Sequence, residues 1–448
     1  MDKQCVDHGC FSALLSSDIR HYYQAPEKNS GSQSCCGNAC GDPLANAQDN
    51  APAWDQHSCN VLIEITERCN LSCPTCFAGS SPQHSGMMSL EEFTRQVDQL
   101  VAGGKSGADV IQLSGGEPTI HPQLHAMIDL LIDRGFHQIC INTNGIKLAQ
   151  AAFARRLASQ FEESGATLFA YLQFDGFEDS TNSMLRGRSD LLSVKQKALE
   201  NCQRLGIRVH PVMTLTRDIN DHETGDFIRL AISNPFLKNV VIQPAMYSGR
   251  YENTRRVDRL TLADTVKLIC QQTGIFEPED FMPIPCSDPN CFGMAVALRT
   301  SSGLLPVSRY FPRYETWASE ESSGLIGKFT DTINGPRAIG EAIQWAAESP
   351  EFLDLDDEEI DRLLGALIDW QSDADSADIW DSLLVVSIKP FMDAWTYDQD
   401  RVDQCCVHIL DPDGNPVSFC EYNAINRPRM TARMPGSQAE LLPLEVLT

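Results

Sequence analysis

From residue 58 onward the chain alternates short apolar runs with longer amphipathic ones. The runs at 61–66, 109–114, 137–142, 168–174, 208–215 and 239–243 are rich in Val, Ile and Leu, the composition of strands buried on both faces. Between and after them, 89–102, 122–134, 147–163, 191–205, 221–233 and 260–273 carry apolar residues at helical spacing. Ser89 and Glu92 have the spacing of a capping box. Six strand–helix repeats with short connections predict an α/β fold, a parallel sheet curled into a partial (β/α)6 barrel. Reactive groups then belong at the C-terminal ends of the strands, as in complete barrels.

The flanks read differently. Residues 1–57 hold Cys5, Cys10, Cys35, Cys36 and Cys40 among polar, Gly/Ser/Asn-rich spacers, too little apolar surface to fold without metal. Beyond Cys286 the periodicity loosens. The pattern predicts three units: a cysteine-rich segment at 1–57, the barrel at 58–285 and a C-terminal domain at 286–448. Within the last, 351–381 carries 12 acidic residues and one Arg around apolar positions, an amphipathic helical segment with a solvated acidic face.

Charge and cysteine usage narrow the class. Lys and Arg number 35 against 61 Asp and Glu, a net charge of −26, which repels phosphate backbones and disfavours a nucleic-acid partner. Seventeen cysteines with no export leader and no apolar run of membrane-spanning length predict a cytoplasmic metalloenzyme that does not span a membrane.

The cysteines that carry chemistry follow the first barrel strand. Cys69, Cys73 and Cys76 stand in Glu67-Arg-Cys-Asn-Leu-Ser-Cys-Pro-Thr-Cys-Phe-Ala78, a C-x3-C-x2-C loop. Three thiolates can hold three irons of a cubane cluster and leave the fourth open to a ligand, whereas structural zinc takes a closed set of four. Ser114-Gly-Gly-Glu-Pro118 closes the second strand. Together these elements resemble the radical S-adenosylmethionine (SAM) superfamily.

That resemblance implies a [4Fe-4S] cluster on the three cysteines, with SAM chelated at its open iron and cleaved to a 5′-deoxyadenosyl radical. It implies that Gly115 and Gly116 let the backbone approach the methionyl amine and that Glu117 accepts a hydrogen bond from it. Strand ends supply the other candidates: Asn144 and Asp175 for ribose hydroxyls, Arg186 for the SAM carboxylate, and Met213, Thr214 and Gln243 near adenine or substrate. Where most members place an aromatic before the third cysteine, this chain has Thr75, and Phe77 follows Cys76.

Longer strings, among them Gln173-Phe-Asp-Gly-Phe177, Asp280-Phe-Met-Pro-Ile-Pro-Cys286 and Cys405-Cys-Val-His-Ile409, resemble one branch of the superfamily. That branch includes archaeal tetraether-lipid synthase and the methanopterin-pathway pterin methylase. It implies C–C bond formation, by methylation or coupling, at an unactivated carbon of a small-molecule or lipid substrate. A flavodoxin- or ferredoxin-type donor would supply the electron. The branch also implies one or two auxiliary [4Fe-4S] clusters and an α+β C-terminal iron–sulfur domain. Cys36, Cys40 and Cys59 match its N-terminal cluster segment, with Pro43 where a third cysteine is expected and Cys35 adjacent. Cys286, Cys291, Cys406 and Cys420 are the C-terminal set, with Cys405 as the spare. Cys140, Cys202 and Cys270 lie singly within strand or helix patterns, as packed core thiols do. Two other functions compete: oxidation of a peptide or small substrate, and a non-catalytic iron–sulfur electron carrier. The intact Gly-Gly-Glu-Pro segment argues against the carrier.

Overall fold

The computed structural model describes residues 1–5, 9–22, 58–102, 108, 110–251, 259–284, 287–300, 303–310 and 382–428; Cys35, Cys36, Cys40, Cys286 and the acidic 351–381 stretch lie outside them. A small hairpin, β1 (Asp2–Cys5) and β2 (Gly9–Ser12), opens the chain. The barrel follows in the expected order: β3 (Asn60–Thr66), α1 (Leu90–Ala102), β4 (Val110–Gly115), α2 (Leu124–Asp133), β5 (Gln138–Thr143), α3 (Ala151–Ser159) and β6 (Thr167–Gln173). It continues through α4 (Asp179–Arg186), α5 (Leu191–Arg204), β7 (Arg208–Leu215), α6 (Thr224–Ile232), β8 (Asn239–Pro244) and α7 (Leu262–Thr273). The short helix α4 is absent from the apolar periodicity because five of its eight residues are Asp, Ser, Thr or Asn. The Ser89 hydroxyl caps α1 through Glu92 N–H (3.1 Å), but the Glu92 carboxylate turns to Arg95, so only half of the expected box forms.

Strands β3 to β8 are parallel neighbours in chain order, and the sheet does not stop there. Strands β9 (Gly293–Thr300), β10 (Gly303–Pro306) and β11 (Leu383–Ile388) extend it past β8, β11 running parallel to β8. After α8 (Gln399–Asp403), β12 (Val407–Leu410) pairs in parallel with β3 at the opposite edge, followed by antiparallel β13 (Pro416–Ser418) and α9 (Phe419–Glu421). The sheet thus runs across the expected boundary at 285/286. Residues 389–406 connect the two edges and so cross the open side of the barrel. No helix among the described residues is long and apolar enough to cross a membrane.

The outward side chains of the strands, Ile63, Ile65, Ile111, Leu113, Ile139 and Ile141 among them, pack under the helices in one continuous core. Cys202 joins that core, Cys270 packs against it, and Cys140 is buried. A second, smaller core joins Leu62 and Met246 of the barrel to Met392 of the crossing segment and to Ile409, Phe419 and Tyr422 beyond it.

A buried ion pair anchors the side of the barrel that faces the cysteine loop. Asp175, after β6, is fully buried and takes both Arg186 nitrogens (2.6 Å each) and Lys195 Nζ (3.3 Å). Gln173 Nε2 (2.7 Å) and Thr214 N–H (3.1 Å) complete its shell. Burial alone would push its carboxyl up, but the Arg186 and Lys195 charges hold it well below the ordinary carboxylate range. A group so depressed contributes stability above its unfolded pKa of about 3.9 and loses it as pH falls through the folded value. Asp175→Asn leaves two buried cations without their anion and should cost about 3–5 kcal/mol at neutral pH. In urea titrations across pH, the gap between wild type and variant should be full above about pH 5 and narrow below about pH 4. A pH-independent gap would contradict this.

Candidate active site

The cysteine loop leaves β3 at Thr66 and is fixed by backbone contacts before its side chains matter. Gly116 N–H donates to Thr66 O (2.6 Å) and Glu117 N–H to Arg68 O (3.0 Å). Gly115 has φ +117°, and a Cβ there would strike Thr66 O; one at Gly116 would strike Arg68 O. Glycine is required at both positions because the end of β4 presses directly on the start of the loop.

On the far side the loop is gripped by a residue that the motif analysis missed. Arg250 donates Nε to Cys73 O (3.1 Å), Nη1 to Gly79 O (2.7 Å) and Nη2 to Ser80 O (2.6 Å), and its N–H to Cys76 O (3.0 Å). Gly249 before it has φ +63° and runs against the Cys76 and Phe77 carbonyls, where a Cβ has no room. Arg250 stands six residues beyond the end of β8 at Pro244, too far along the loop for its place in the sequence to single it out. Thr75, which replaces the customary aromatic, donates its hydroxyl to Leu185 O (2.9 Å) and ties the loop to the end of α4.

Cys69, Cys73 and Cys76 carry free thiols and line one cavity. Burial pushes the Cys69 thiol up to about 12 and raises that of Cys73, which the adjacent Arg186 guanidinium opposes. Buried thiols of this kind become thiolates when a metal takes the proton's place. Among the described residues no three His, Cys, Asp or Glu groups converge on a single ion. A cubane assigns one thiolate to each iron, and three cysteines lining one cavity meet that requirement for three of its four irons.

The other predicted residues divide. Gly115, Gly116, Glu117, Asn144, Arg186, Thr214 and Gln243 line the cavity. The Glu117 carboxylate is 1% exposed and accepts from Thr119 N–H (3.2 Å), Thr119 Oγ1 (2.5 Å), Thr143 Oγ1 (2.7 Å) and Asn144 N–H (2.8 Å). It therefore locks the ends of β4 and β5 together, a demand that the motif alone does not reveal. Asn144 Nδ2 donates to Asn70 Oδ1 in the cysteine loop (2.7 Å). Two expectations are corrected. Asp175 is sealed under Arg186 and cannot reach a ribose. Met213 points outward into the helix-packed core, and its neighbour Thr214 points inward, because alternation along β7 places them on opposite faces.

The crossing segment and the elements after it supply the opposite wall: Phe391, Val407 of β12 and Phe419 of α9, with Phe391 and Phe419 ring centroids 4.6 Å apart and Phe77 edge-on to Phe419 at 5.7 Å. Beside this wall lies the C-terminal cysteine group. Cys420 is buried, and its thiol is pushed up by burial and then by the nearby Cys405 and Cys291. Arg401 donates Nε and Nη2 to Cys291 Sγ (3.4 Å each). Cys406 is buried at the start of β12, where its carbonyl accepts from Asn60 N–H (3.2 Å). Cys59, half-buried, precedes β3 and pairs through its carbonyl with Val110 N–H (3.1 Å).

Comparison with known proteins agrees with this geometry. Residues 63–231 match the model of the Radical SAM superfamily. The chain is 31% identical to the 7,8-dihydro-6-hydroxymethylpterin dimethyltransferase of Methanocaldococcus jannaschii, over 95% of this chain and 88% of that protein. It is 32% identical to the GTP 3′,8-cyclase of Desulforamulus reducens over 39% of this chain and 52% of that one. Among solved structures, SuiB of Streptococcus suis bound to S-adenosylmethionine overlaps 48% of this chain and 46% of that chain at 17% identity, with a TM-score of 0.37. A C-x3-C-x2-C loop sprung from the first strand of a parallel barrel, a glycine-sealed second strand and similarity along nearly the whole chain lead to one assignment: the chain belongs to the radical SAM superfamily and is an enzyme of it.

Proposed function

We propose that this enzyme forms a C–C bond by methylating a carbon of a small, flat nitrogen heterocycle of the pterin type. The hydrogen leaves that carbon to the adenosyl radical, and the methyl leaves the sulfonium of a second SAM, giving S-adenosylhomocysteine. The electron donor supplies one electron for the SAM cleavage and one for the transfer. The observation that carries this reading is the character of the cavity. Its lining includes the amides Asn60, Gln112, Asn142 and Gln243 and the cation Lys389. Amides and a cation inside a pocket need hydrogen-bonding partners, which a polar heterocycle supplies and a lipid chain does not. The relative matched along nearly its whole length is named for methylating a pterin, and the partial relative is named for a guanine nucleotide. Both names describe molecules with an aminopyrimidinone edge.

Cys69, Cys73 and Cys76 would hold the cluster, which when loaded supplies the reductive cleavage of SAM to a 5′-deoxyadenosyl radical. Arg250 and the Gly115–Gly116 contact keep the loop that carries them in place. Arg186, its guanidinium oriented by Asp175, presents a fixed cation beside Cys73, suited to a carboxylate. The Phe77, Phe391 and Phe419 wall keeps water from the reacting face.

For an auxiliary cluster the reading favours Cys291, Cys405 and Cys420, with Cys286 as the fourth thiol and Cys405 in the place first given to Cys406. Because Phe419 and Val407 border both this group and the chamber, an electron could pass between cluster and substrate over a short distance. Cys36, Cys40 and Cys59 are proposed for an N-terminal cluster, and a flavodoxin- or ferredoxin-type protein for the electron donor.

Two outcomes are expected. Reduced, reconstituted protein given SAM and hydroxymethyl-dihydropterin should yield a product with a new C–C-bonded methyl group; a product differing only by loss of hydrogen would overturn the reading in favour of an oxidase. Cys405→Ser should lower the iron content by about one cubane's worth, roughly four irons, while Cys406→Ser should leave it near wild type. The reverse pattern would restore Cys406 as the ligand.

A further inference from the structure

Side chains inside a parallel barrel are dominated by branched aliphatics packed in layers. This barrel departs from that rule. Asn60 on β3, Gln112 on β4, Asn142 on β5, Tyr171 on β6, Gln243 on β8 and Lys389 just past β11 all face the same cavity. Five parallel strands, with Lys389 just past a sixth, therefore contribute a polar group to one girdle.

The girdle is connected. The Asn60 amide donates to Gln112 Oε1, and the Gln112 amide to Asn142 Oδ1. Asn142 Nδ2 donates to Ser114 Oγ (3.0 Å). On the other side Gln243 Nε2 donates to the Tyr171 hydroxyl (2.9 Å). Each primary amide has two N–H donors and two carbonyl lone pairs, so these links leave hydrogen-bonding capacity on the four amides, Asn60, Gln112, Asn142 and Gln243. Asn60 Oδ1 is buried without a partner. Polar groups buried in this way are costly relative to aliphatic packing unless something uses them, and departures of this kind concentrate at functional sites.

We propose that this girdle is the specificity-determining element of the site. Resting on the reading above, it recognises the hydrogen-bonding edge of an aminopyrimidinone ring, and the Phe391–Phe419 wall packs against the apolar faces. An edge that alternates amine, ring N–H and carbonyl requires acceptors and donors side by side, which a row of amides provides. Lys389 adds a cation suited to the ring carbonyl. A site built to pair with such an edge rejects an analogue lacking one group far more strongly than an apolar pocket could, because the buried partner is left unpaired.

The test uses the reconstituted, unreduced protein with SAM, titrated with hydroxymethylpterin and with its deaminated analogue, the corresponding lumazine. Wild type should prefer the pterin by about tenfold or more. Gln112→Met should weaken pterin binding by about tenfold or more, abolish the preference and leave SAM binding unchanged. Should that variant fail to fold, judged by lost SAM binding, the wild-type preference alone decides. Equal wild-type affinity for the two rings, or an unaltered preference in a folded Gln112→Met protein, overturns the girdle. If the preference holds but no methylated product forms, the girdle stands and the methylation reading fails. If folded Gln112→Met methylates the pterin with wild-type kcat and KM, the methylation reading stands and the girdle fails.

Discussion

The architecture of the site depends on one close approach, that of the β4 end to the beginning of the cysteine loop. Gly116 N–H and Glu117 N–H pair with Thr66 and Arg68 carbonyls across a space that admits no Cβ. From this contact the rest follows in sequence. The loop is aimed across the mouth of the barrel, Glu117 is drawn inward, and its carboxylate then gathers Thr119, Thr143 and Asn144. Asn144 in turn reaches Asn70, closing a circuit from loop to β4 to β5 and back to the loop. Arg250 clamps the same loop from the side of β8. Two buried thiols, Cys69 and Cys73, and the half-buried Cys76 are thus held by backbone geometry before any cluster contributes to the fold.

The crossing segment gives the chamber its second wall. By placing β11 beside β8 and β12 beside β3, the chain draws Phe391, Val407 and Phe419 over the opening and sets the C-terminal cysteine group beside them. A substrate in the chamber would lie between two cysteine groups, with an amide floor beneath. This arrangement explains why the C-terminal residues share a hydrogen-bonded sheet with the barrel: an independently moving unit could not hold such a wall in register.

Much of this was legible in the linear string, for reasons that differ by residue. The C-x3-C-x2-C spacing and the paired glycines are local signals, complete within a few residues, and both fall where predicted. Alternation along β7 was visible too, but its phase was not: Met213 and Thr214 are adjacent, and only packing against the helices shows which one faces inward. Asp175 looked like a ribose ligand because a carboxylate at a strand end is common to both roles; its burial depends on α4 and α5, which bring Arg186 and Lys195 from later in the chain. Arg250 acts on carbonyls about 170 residues earlier, and no local pattern encodes such a contact. Cys405 and Cys406 are adjacent, so spacing does not separate them; Cys406 is buried and Cys405 half-buried.

The central claim is that the substrate carbon is presented to the SAM-bearing loop within this one chamber. The direct measurement is the fate of hydrogen: the heterocycle deuterated at the carbon to be methylated, incubated with reduced enzyme and SAM, and the 5′-deoxyadenosine analysed by mass spectrometry. The account predicts that deuterium from the ring appears in the 5′-deoxyadenosine. Formation of methylated product with only unlabelled 5′-deoxyadenosine would contradict it.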